Sequence, residues 1–494
     1  MGQKSVAVIG AGIGGLSAAA HLAHAGYRVD VYEKNAEPGG KASVLRASGF
    51  RFDKGPSLLT MPFVFKKHFE ELDAHPDRFL HFERLHTNCR YLYPDRTIIN
   101  AYADMKRLAE EFAAKTKDKR SSINSYFERC KEIYELAADI FLFNSPLITF
   151  RTPSSNSLSA LTHLGELGVS RTLNKMNSMY FSDHRVVQLF NRYATYNGSS
   201  PYRAPATFLI IPYVEFYFGA YNVDEGINSI PRALYDIAKK KGVRFHFGQE
   251  VTRIIHEKHR IKAIQMDNTI VDHEVVVANS DVRNVYGVLL EDRNSPMARM
   301  YRHKEPSSSA LVFYWGIKGN PGDLQVHNVF FSNDYQKEFR DIFRNKKCPE
   351  DPTIYINITS KYVQTDAPNG YENWFVMINA PYMAGQNWSA ETQRVRKTVT
   401  EKLKRTLGID IEKLIVYESV MTPRDIERET SSSKGSLYGM ASNSITGAFM
   451  RQQNKSMIYR GLYFCGGTCH PGGGMPLALL SGRIAADLVM KGEK

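Results

Sequence analysis

The sequence contains few cysteines, and they are not arranged in pairs. Five occur among 494 residues, an odd number, and no two of them are spaced as C-x-x-C. This pattern argues against a disulfide framework and favours a reduced, cytoplasmic protein. Cys469 and His470 are adjacent and Cys465 lies close by, but no second pair of ligand residues accompanies them, so we predict no metal site.

Long apolar runs are absent as well. A helix that crosses a bilayer needs about 20 apolar residues, and the most apolar stretch, residues 208–218, is interrupted by Pro212 and Glu215. We also expect no signal peptide, because the chain begins with a strand-like run instead of a charged segment followed by an apolar one. A membrane contact of this protein would therefore lie at the bilayer surface.

Acidic residues are outnumbered by basic ones. The 64 lysines and arginines exceed the 51 aspartates and glutamates, which gives a net charge of +13. This balance suits an anionic membrane surface or a nucleic acid, although short basic clusters at residues 115–120 and 346–347 are also typical of a solvated surface. We predict peripheral association with an anionic membrane and no nucleic-acid partner. The length allows more than one domain.

What the chain does contain is a glycine-rich turn at its start. Residues 6–15 read VAVIGAGIGG, an apolar run followed by Gly10, Gly12 and Gly15 in the spacing G-x-G-x-x-G. In a strand–turn–helix unit these glycines allow a tight turn, close approach of a pyrophosphate and close helix packing. Glu33 ends the next alternating run, where a carboxylate accepts hydrogen bonds from a ribose. That carboxylate would repel a 2′-phosphate, so we predict FAD or NAD rather than NADP.

Further glycine-rich turns follow this unit and recur at the end of the chain. They comprise residues 38–42, which include Lys41, residues 55–57, and residues 466–476. Lys41 is placed to neutralise a pyrophosphate, and the second turn is placed to run beside a ring system. Pro476 suits the first turn of a C-terminal helix, whose N-terminus would stabilise negative charge on a flavin. These features favour FAD over NAD.

The order of patterns along the chain predicts an α/β fold in which a nucleotide-binding domain is interrupted. Aromatic-rich helical segments dominate from about residue 60 to 220, and the α/β pattern then returns with an apolar strand at residues 275–279. Their aromatic residues suit either a simple core or a long apolar ligand tunnel. The predicted units are a discontinuous FAD-binding domain at residues 1–85, 225–300 and 415–494, a mixed-sheet substrate-binding domain at 86–135 and 301–414, and a helical, membrane-facing region at 136–224.

Together the motifs resemble those of the bacterial-type phytoene desaturase family, the carotenoid desaturases, within the flavin amine oxidase superfamily. The likeness covers essentially the whole chain and includes residues 327–332 and 422–425 besides the glycine-rich turns. Residues 351–357 and 372–375 look most like desaturases of late carotenoid steps, and the chain is most similar to the 1-hydroxycarotenoid 3,4-desaturase branch. The resemblance implies a Rossmann-like domain with tightly held FAD.

The resemblance also implies which residues bind the cofactor. Carried over onto this sequence, the set is Gly10, Ala11, Gly12, Ile13, Gly14, Gly15, Glu33, Lys34, Gly40, Lys41, Gly55, Pro56, Ser57, Val251, Asn279, Gly466, Gly467, Gly474, Met475 and Pro476. Desaturation removes a hydride, which a flavin accepts, and a proton, which needs a base.

Four residues are candidates for the proton transfer. They are Glu215, Glu225, Arg151 and His470. Glu215 lies in an apolar run, where an unpaired carboxylate is costly, so a paired structural glutamate is an alternative there. A structural or membrane-facing role is the alternative for Arg151, and a turn-stabilising role is the alternative for His470.

The implied partners are a long apolar carotenoid, an anionic membrane surface from which it is drawn, and a quinone or oxygen as electron acceptor. Three other functions stay open. The first is a phytoene- or lycopene-type desaturase that acts on a non-hydroxylated carotene, and the second is an amine oxidase of the same fold. The third is a flavin-binding protein similar to the Rab escort factors, which shares the fold without the redox chemistry.

Overall fold

The computed structural model of the protein describes residues 4–138, 142–143, 170–444, 447 and 451–492. Arg151 and the rest of residues 139–141 and 144–169, which belong to the predicted helical region at 136–224, therefore lie outside the described residues. Within the described part of the chain, no helix is both long enough and apolar enough to cross a membrane.

Nineteen β-strands form in the described residues, and we number them in chain order. They are β1 Ser5–Ile9, β2 Arg28–Glu33, β3 Val44–Ala47, β4 Phe50–Asp53, β5 Phe82–Arg84, β6 Thr87–Leu92, β7 Ile98–Tyr102, β8 Tyr221–Val223, β9 Arg244–Phe247, β10 Arg253–Glu257, β11 Arg260–Met266, β12 Thr269–Asp272, β13 Val275–Ala278, β14 Ser309–Lys318, β15 His327–Phe330, β16 Ile354–Asn357, β17 Tyr371–Ala380, β18 Ile415–Met421 and β19 Leu462–Phe464.

The helices of eight residues or more are numbered in the same way. They are α1 Ile13–His24, α2 Pro62–Glu70, α3 Met105–Lys115, α4 Arg120–Ala138, α5 Leu173–Tyr180, α6 His184–Asn191, α7 Ser229–Lys240, α8 Pro296–His303, α9 Trp388–Leu407, α10 Pro423–Thr430 and α11 Met475–Gly492. Shorter helical turns connect them, and one of these, Val214–Phe218, is a π-helical turn.

A five-stranded parallel sheet carries the glycine-rich turn at the start of the chain. Its strand order is β19–β13–β1–β2–β9, so strands from the two ends and the middle of the chain meet in one sheet. Strand β13, an interior strand of this sheet, is buried along its whole length, as expected of a parallel strand that is covered on both faces. The predicted strand–helix–strand unit and the return of the α/β pattern are thus confirmed.

Helix α1 is held close to the C-terminal helix α11. Ser17 Oγ donates a hydrogen bond of 2.8 Å to the carbonyl oxygen of Leu479. A Cβ atom at Gly482 would lie only 2.2 Å from the carbonyl oxygen of Gly14, so the two helices are in backbone contact there. The first glycine-rich turn and the last one are therefore brought to the same edge of the sheet.

A seven-stranded mixed sheet forms the second layer of the molecule. Its order is β18–β14–β17–β16–β15–β6–β7, with antiparallel neighbours except for the parallel pair β15–β6. Its two long strands, β14 and β17, pair over ten residues each, and Trp315 and Trp374 are fully buried on them. Strand β18 joins this sheet although the sequence assigns its residues to the FAD-binding domain.

Most of the aromatic residues between 100 and 220 form a core. The rings of Tyr126 and Phe190 have centroids 4.3 Å apart, and Phe181 stacks on Phe190 at 5.1 Å. All three side chains are buried in one apolar cluster with Tyr193 and Phe216. For these residues, the simple core predicted as one alternative is the arrangement observed.

A buried ion-pair group connects β4 to α7. Arg51 Nη2 lies 2.7 Å from Asp53 Oδ1, and Arg51 Nη1 lies 3.2 Å from Asp366 Oδ2. Asp53 also accepts hydrogen bonds from the backbone N–H groups of Ile227 and Asn228, directly before α7. The carboxylate thus compensates a buried cation and satisfies N–H groups at a helix start.

Candidate active site

A cavity of about 670 Å³ is lined by residues of both large sheets. Glycine-rich turns contribute one part of its surface, which we call the glycine wall: Gly10, Gly12, Gly14, Gly39, Gly40, Gly55, Gly466, Gly467, Gly473 and Gly474. Side chains contribute a second part, the side-chain wall: Asn88, Cys89, Arg192, Tyr196, Glu215, Ala310, Val312, His327, Val329, Tyr355, Phe375 and Met377.

The first turn of the glycine wall has no room for side chains at its glycine positions. Gly10 has a φ of +95°, and a Cβ atom at Gly15 would lie 2.1 Å from the Gly10 carbonyl oxygen. The Asn279 side chain, which follows β13, fills the space beside this turn. A Cβ at Gly12 would come within 2.9 Å of its amide nitrogen, and one at Gly466 within 2.5 Å of its amide oxygen. The two glycine-rich turns therefore pack around Asn279.

The start of α1 presents backbone N–H groups to the cavity. Its N-cap is Gly12, which has no side chain to accept from them, and no acidic residue lies in the first turn. Glu33 at the end of β2 fixes the turn instead, because its Oε2 accepts a 2.7 Å hydrogen bond from the N–H of Ala11. An uncapped helix N-terminus of this kind binds an anion through its N–H groups and its dipole.

The predicted cation of the site, Lys41, lines the cavity. Its ammonium group donates a hydrogen bond to the carbonyl oxygen of Leu437. Burial lowers the pKa of Lys41 to about 8, and the nearby Asp281 opposes this effect. A Cβ atom at Gly55 would lie 1.9 Å from the carbonyl oxygen of Lys41. The backbone of the turn at residues 55–57, the second glycine-rich turn after the first strand–helix–strand unit, therefore packs against the backbone of the turn at residues 38–42.

The C-terminal turn is held by Arg451, a residue that the sequence analysis did not single out. This buried guanidinium donates hydrogen bonds to the carbonyl oxygens of Tyr438 (3.2 Å) and Gly467 (3.4 Å) and to the side chain of Asn197 (2.8 Å). Ser481 Oγ in α11 accepts from the N–H of Gly466 at 3.2 Å. Arg451 lies in an irregular segment without a motif, so its role could only be found in three dimensions.

Nearly all residues in the predicted cofactor-binding set line the cavity. The exceptions are Ala11, Gly15 and Pro476. Ala11 and Gly15 lie directly behind the first turn, in contact with Glu33 and Gly10, as described above.

The four candidates for proton transfer have different positions. Glu215 lines the cavity, whereas Glu225 and His470 are not part of its lining. Glu225 has a side chain that is 73% exposed and paired with Arg232. His470 is buried in the C-terminal turn, and Arg151 lies outside the described residues. Only Glu215 among these candidates is therefore seen at the cavity.

Glu215 is the centre of a buried polar group on the side-chain wall. Its Oε1 accepts a 2.8 Å hydrogen bond from the Tyr193 hydroxyl, and its Oε2 accepts one of 2.5 Å from the Tyr196 hydroxyl. Arg192 Nη2 lies 4.0 Å from Oε1 and donates to the Tyr91 hydroxyl at 2.7 Å. Glu215 lies on the π-helical turn Val214–Phe218, a feature that is frequent at functional sites.

A second polar chain begins at the glycine-rich turn of residues 55–57. The hydroxyl groups of Ser57 and Tyr355 are 2.6 Å apart, and His327 Nδ1 lies 2.7 Å from the same tyrosine hydroxyl. Burial lowers the pKa of His327 to about 3, with a smaller effect of Arg192, so its imidazole is neutral. Burial likewise raises the pKa of the Cys89 thiol to about 12, which makes it a poor nucleophile.

Comparison with known proteins places this cavity in a family context. A family model described as flavin containing amine oxidoreductase matches residues 13–490. The chain belongs to this family. It is an FAD-dependent oxidoreductase, and its α/β fold with mixed sheets is that of the flavin amine oxidases.

Curated relatives of this flavin amine oxidoreductase are similar along their whole length. A 1-hydroxycarotenoid 3,4-desaturase from a Flavobacterium species is 42% identical over 490 residues, which are 99% of each chain. A 4,4′-diaponeurosporene oxygenase from Staphylococcus haemolyticus is 31% identical over 496 residues, 99% of this chain and 97% of the relative.

Solved structures share the fold at low identity. An oxidoreductase from Methanosarcina mazei has a TM-score of 0.65 and 16% identity, with 99% of this chain and all of the other covered. Cyclohexylamine oxidase from Brevibacterium oxydans has a TM-score of 0.62 and 15% identity, with 99% of both chains covered. At this level of identity, the similarity of the present chain to these structures shows a shared fold and nothing more.

The glycine wall fits a flavin dinucleotide. At Gly10, Gly14 and Gly55 a Cβ atom would lie within 3 Å of neighbouring backbone, and the helix N-terminus at Gly12 is uncapped. Asp281 Oδ2 is buried at the cavity and has no hydrogen-bond partner within the described residues, as expected of an acceptor that bonds to a ligand hydroxyl. In the same part of the chain, no group of three or more His, Cys, Asp or Glu residues is arranged to hold a metal ion.

Proposed function

We propose that the protein is a carotenoid desaturase that forms the C3–C4 double bond of a 1-hydroxycarotenoid. The observation that carries this proposal is the 42% identity, over 99% of both chains, with the Flavobacterium 1-hydroxycarotenoid 3,4-desaturase. The composition of the cavity supports it, since apolar side chains such as Val312, Val329 and Phe375 line the same cavity as the glycine wall. A polyene needs an apolar channel that reaches the cofactor.

FAD would lie along the glycine wall, held by the cofactor-binding set predicted above. The N–H groups at the start of α1 would bind the pyrophosphate, Lys41 would neutralise part of its charge, and Glu33 would accept hydrogen bonds from the ribose. The start of α11 would face the flavin edge that gains negative charge on reduction. This arrangement rests on the uncapped α1 N-terminus and on the lining of the cavity.

Bound flavin supplies the acceptor for the hydride that leaves one of two adjacent carbons. The other carbon loses a proton, and Glu215 is the base that takes it up. Glu215 lines the cavity and is 1% exposed. Its carboxylate accepts hydrogen bonds from the hydroxyl groups of Tyr193 and Tyr196, which stabilise it. A quinone or oxygen would accept the electrons from the reduced flavin.

One part of the side-chain wall is apolar. Val312 and Phe375 on neighbouring strands of the seven-stranded sheet, with Met377, give this part a surface that holds a polyene and offers water no hydrogen-bond partners. Exclusion of water strengthens the interaction between Glu215 and its hydrogen-bond donors.

Two of the three units in the domain division that the sequence predicts are retained as part of this proposal. Residues 1–85, 225–300 and 415–494 form the FAD-binding unit, and 86–135 with 301–414 form the substrate-binding unit. The strands of the parallel sheet and most strands of the seven-stranded sheet fall into these ranges, with β18 as the exception.

The enzyme takes its substrate from an anionic membrane surface on the cytoplasmic side. Phe63 on α2 is 40% exposed and packs edge-on against Phe218, next to Tyr217, which is 61% exposed. Lys66 and Lys67 on the same helix are exposed as well. Exposed aromatic side chains beside lysines are typical of a surface that inserts shallowly into anionic lipid.

Sedimentation with liposomes tests this membrane contact. The protein is expected to sediment with anionic vesicles at low salt, and the double variant Phe63→Ser with Tyr217→Ser is expected to bind less. Met457→Ser serves as the control, because Met457 is 78% exposed and is not part of this aromatic group. A protein that stays in the supernatant with anionic vesicles at low salt would contradict the proposed contact.

Expression in cells that make different carotenoids tests the proposed reaction. A shift of the carotenoid absorption to longer wavelength is expected in cells that contain a 1-hydroxylated carotenoid, because one double bond is added to the conjugated system. A shift with phytoene as the only carotenoid would instead indicate an earlier desaturation step. A product that has gained oxygen would indicate the activity named for the staphylococcal relatives.

A further inference from the structure

The side-chain wall contains more polar groups than an apolar polyene needs. Arg192, Tyr196 and Glu215 line the cavity together and are tied to one another by the contacts described above. Burying charged groups costs free energy unless each is paired and hydrogen-bonded. A ligand made only of carbon and hydrogen would leave this cost uncompensated where it meets the group.

Arg192 has hydrogen-bonding capacity that the protein does not use. A guanidinium has five N–H donors, and within the described residues the acceptors of Arg192 are two hydroxyl groups, those of Tyr91 and Tyr196. Nη2 donates to Tyr91 at 2.7 Å, both terminal nitrogens lie 3.4 Å from the Tyr196 hydroxyl, and Nε has no partner among the residues that the structure describes. Among the residues that the structure describes, the sole carboxylate oxygen within 4.0 Å of the guanidinium belongs to Glu215. The Arg192 guanidinium can therefore donate a hydrogen bond to one more polar atom.

Tyr196 supplies the complementary acceptor. Its hydroxyl proton is directed to Glu215 Oε2 at 2.5 Å, so the lone pairs of its oxygen face only the two long contacts of 3.4 Å from Arg192 and can accept a shorter hydrogen bond from a ligand. A hydroxyl group placed beside both residues, within hydrogen-bond distance of each, would accept from Arg192 and donate to Tyr196. Both hydrogen-bonding functions of an alcohol would then be satisfied in a buried site.

The chemistry of the proposed reaction puts an alcohol at this place. In a 1-hydroxycarotenoid the oxygen is bonded to C1, and the bond to be oxidised joins C3 and C4. Three single bonds separate the oxygen from C3, so the two atoms are within about 4 Å of each other. A site for the hydroxyl group must therefore lie beside the base that takes the proton, and Arg192 and Tyr196 lie beside Glu215.

We propose that Arg192 and Tyr196 form a subsite that binds the tertiary hydroxyl group of the substrate and thereby positions the C3–C4 bond next to Glu215. This subsite rests on the proposed desaturase function and adds the basis of its substrate choice. A site that hydrogen-bonds a hydroxyl group discriminates strongly against the analogue that lacks it, because its own polar groups are then left unpaired.

The test compares two ligands on purified protein with bound FAD. The probes are an acyclic carotenoid with a 1-hydroxyl group and the same carotenoid without it, both supplied in anionic liposomes. Dissociation constants follow from quenching of the flavin fluorescence, and anaerobic flavin reduction reports whether each ligand reacts. The wild type is expected to bind the hydroxylated ligand about 10- to 100-fold more tightly, as expected for a hydrogen bond to a charged group.

Two variants remove the subsite, and a third is the control. Tyr196→Phe and Arg192→Met are expected to reduce the ratio of the two dissociation constants to about one to three, mainly by weakening the hydroxylated ligand. Tyr93→Phe is the matched control, since Tyr93 is a buried tyrosine whose hydroxyl donates to the Arg185 carbonyl and which does not line the cavity. Retained FAD and an unchanged melting temperature identify variants that fold normally.

The outcomes separate the subsite from the proposed function. Equal binding and equal flavin reduction by both ligands in the wild type would overturn the subsite and leave the desaturase intact. A tenfold or larger preference that survives in Tyr196→Phe and in Arg192→Met would also overturn it. A wild-type protein that neither binds nor is reduced by either ligand would overturn the proposed function and the subsite with it.

Discussion

The glycine wall presents backbone groups to the cavity, whereas the side-chain wall presents hydroxyls, a carboxylate, a guanidinium and apolar groups. Each turn of the first wall comes from one short stretch of the chain and meets the next turn backbone to backbone. The second wall gathers single residues from segments as distant as Asn88 and Met377. A surface made of backbone groups suits a cofactor that is the same in related enzymes. A surface made of side chains allows related enzymes to differ in substrate.

Filling the glycine wall is expected to have the largest effect. Gly15→Ala would place a Cβ atom 2.1 Å from the Gly10 carbonyl oxygen, which the backbone cannot accommodate without opening the turn. We expect the purified variant to contain almost no flavin and to melt at a lower temperature, as measured by flavin absorbance and calorimetry. Gly287→Ala is the control, because nothing lies within 4 Å of its Cβ position. Full flavin content in Gly15→Ala would refute this description of the wall.

On the side-chain wall, Glu215→Gln is expected to leave flavin binding intact and to slow the reaction. Loss of a general base lowers the rate by about 10²- to 10⁴-fold, and the rate of anaerobic flavin reduction measures this. Glu225→Gln, on an exposed carboxylate outside the cavity, should leave the rate unchanged. If the two variants behaved alike, the assignment of the base to the side-chain wall would fail.

The connection between β4 and α7 is expected to matter for stability rather than for chemistry. Arg51→Met leaves the carboxylates of Asp53 and Asp366 buried without their cation, and breaking such a pair costs about 3–5 kcal/mol. Thermal unfolding should show a clear loss of melting temperature. Arg232→Ala removes the exposed ion pair with Glu225 and should change the stability by about 1 kcal/mol or less. Comparable losses in both variants would contradict the buried role of Arg51.

A smaller effect is expected from two histidines behind the glycine wall. His21 Nε2 and His68 Nδ1 are 3.1 Å apart, and burial, with a smaller effect of Arg483, lowers the pKa of His21 to about 3. Its unfolded pKa is about 6.5, so the unfolded state binds the proton more readily. The contribution of His21 to the free energy of unfolding is therefore complete above pH 6.5. It falls by about 1.4 kcal/mol per pH unit as the pH decreases from the unfolded pKa towards the folded one.

Melting temperatures between pH 7 and pH 4.5 measure this effect. His21→Gln is expected to flatten the decline on the acid side by the contribution of one histidine. His184→Gln, on a side chain that is 85% exposed, should leave the curve as it is. An identical acid decline in wild type and His21→Gln would show that the buried pair does not contribute to it.

The two walls also differ in how far the sequence predicts them. The glycine wall could be predicted because each of its turns is contiguous, and because the residues before and after Gly10 to Gly15 have the pattern of a strand and a helix. The same holds for the parallel sheet, whose strand at residues 275–279 reads as an unbroken apolar run. Such local patterns depend only on neighbouring residues in the sequence, so they can be recognised without knowledge of the fold.

The side-chain wall could be predicted only in part. Glu215 could be predicted as a candidate because it is a charged residue in an apolar run. Nothing near it in the sequence indicated Tyr193 or Arg192 as its partners, because tyrosines are frequent throughout that segment. His327 and Tyr355 come together with Ser57 only through the pairing of β15 with β16 and the contact of that sheet with the second glycine-rich turn. These contacts connect distant positions and leave no periodicity in the chain.

Anaerobic mixing of the purified FAD-containing protein with a 1-hydroxycarotenoid in anionic liposomes tests the central claim most directly. If the protein is the proposed desaturase, the absorption band of oxidised flavin bleaches while the carotenoid band moves to longer wavelength, with one new double bond for each flavin reduced. A flavin that stays oxidised while the carotenoid is bound would contradict the proposed reaction.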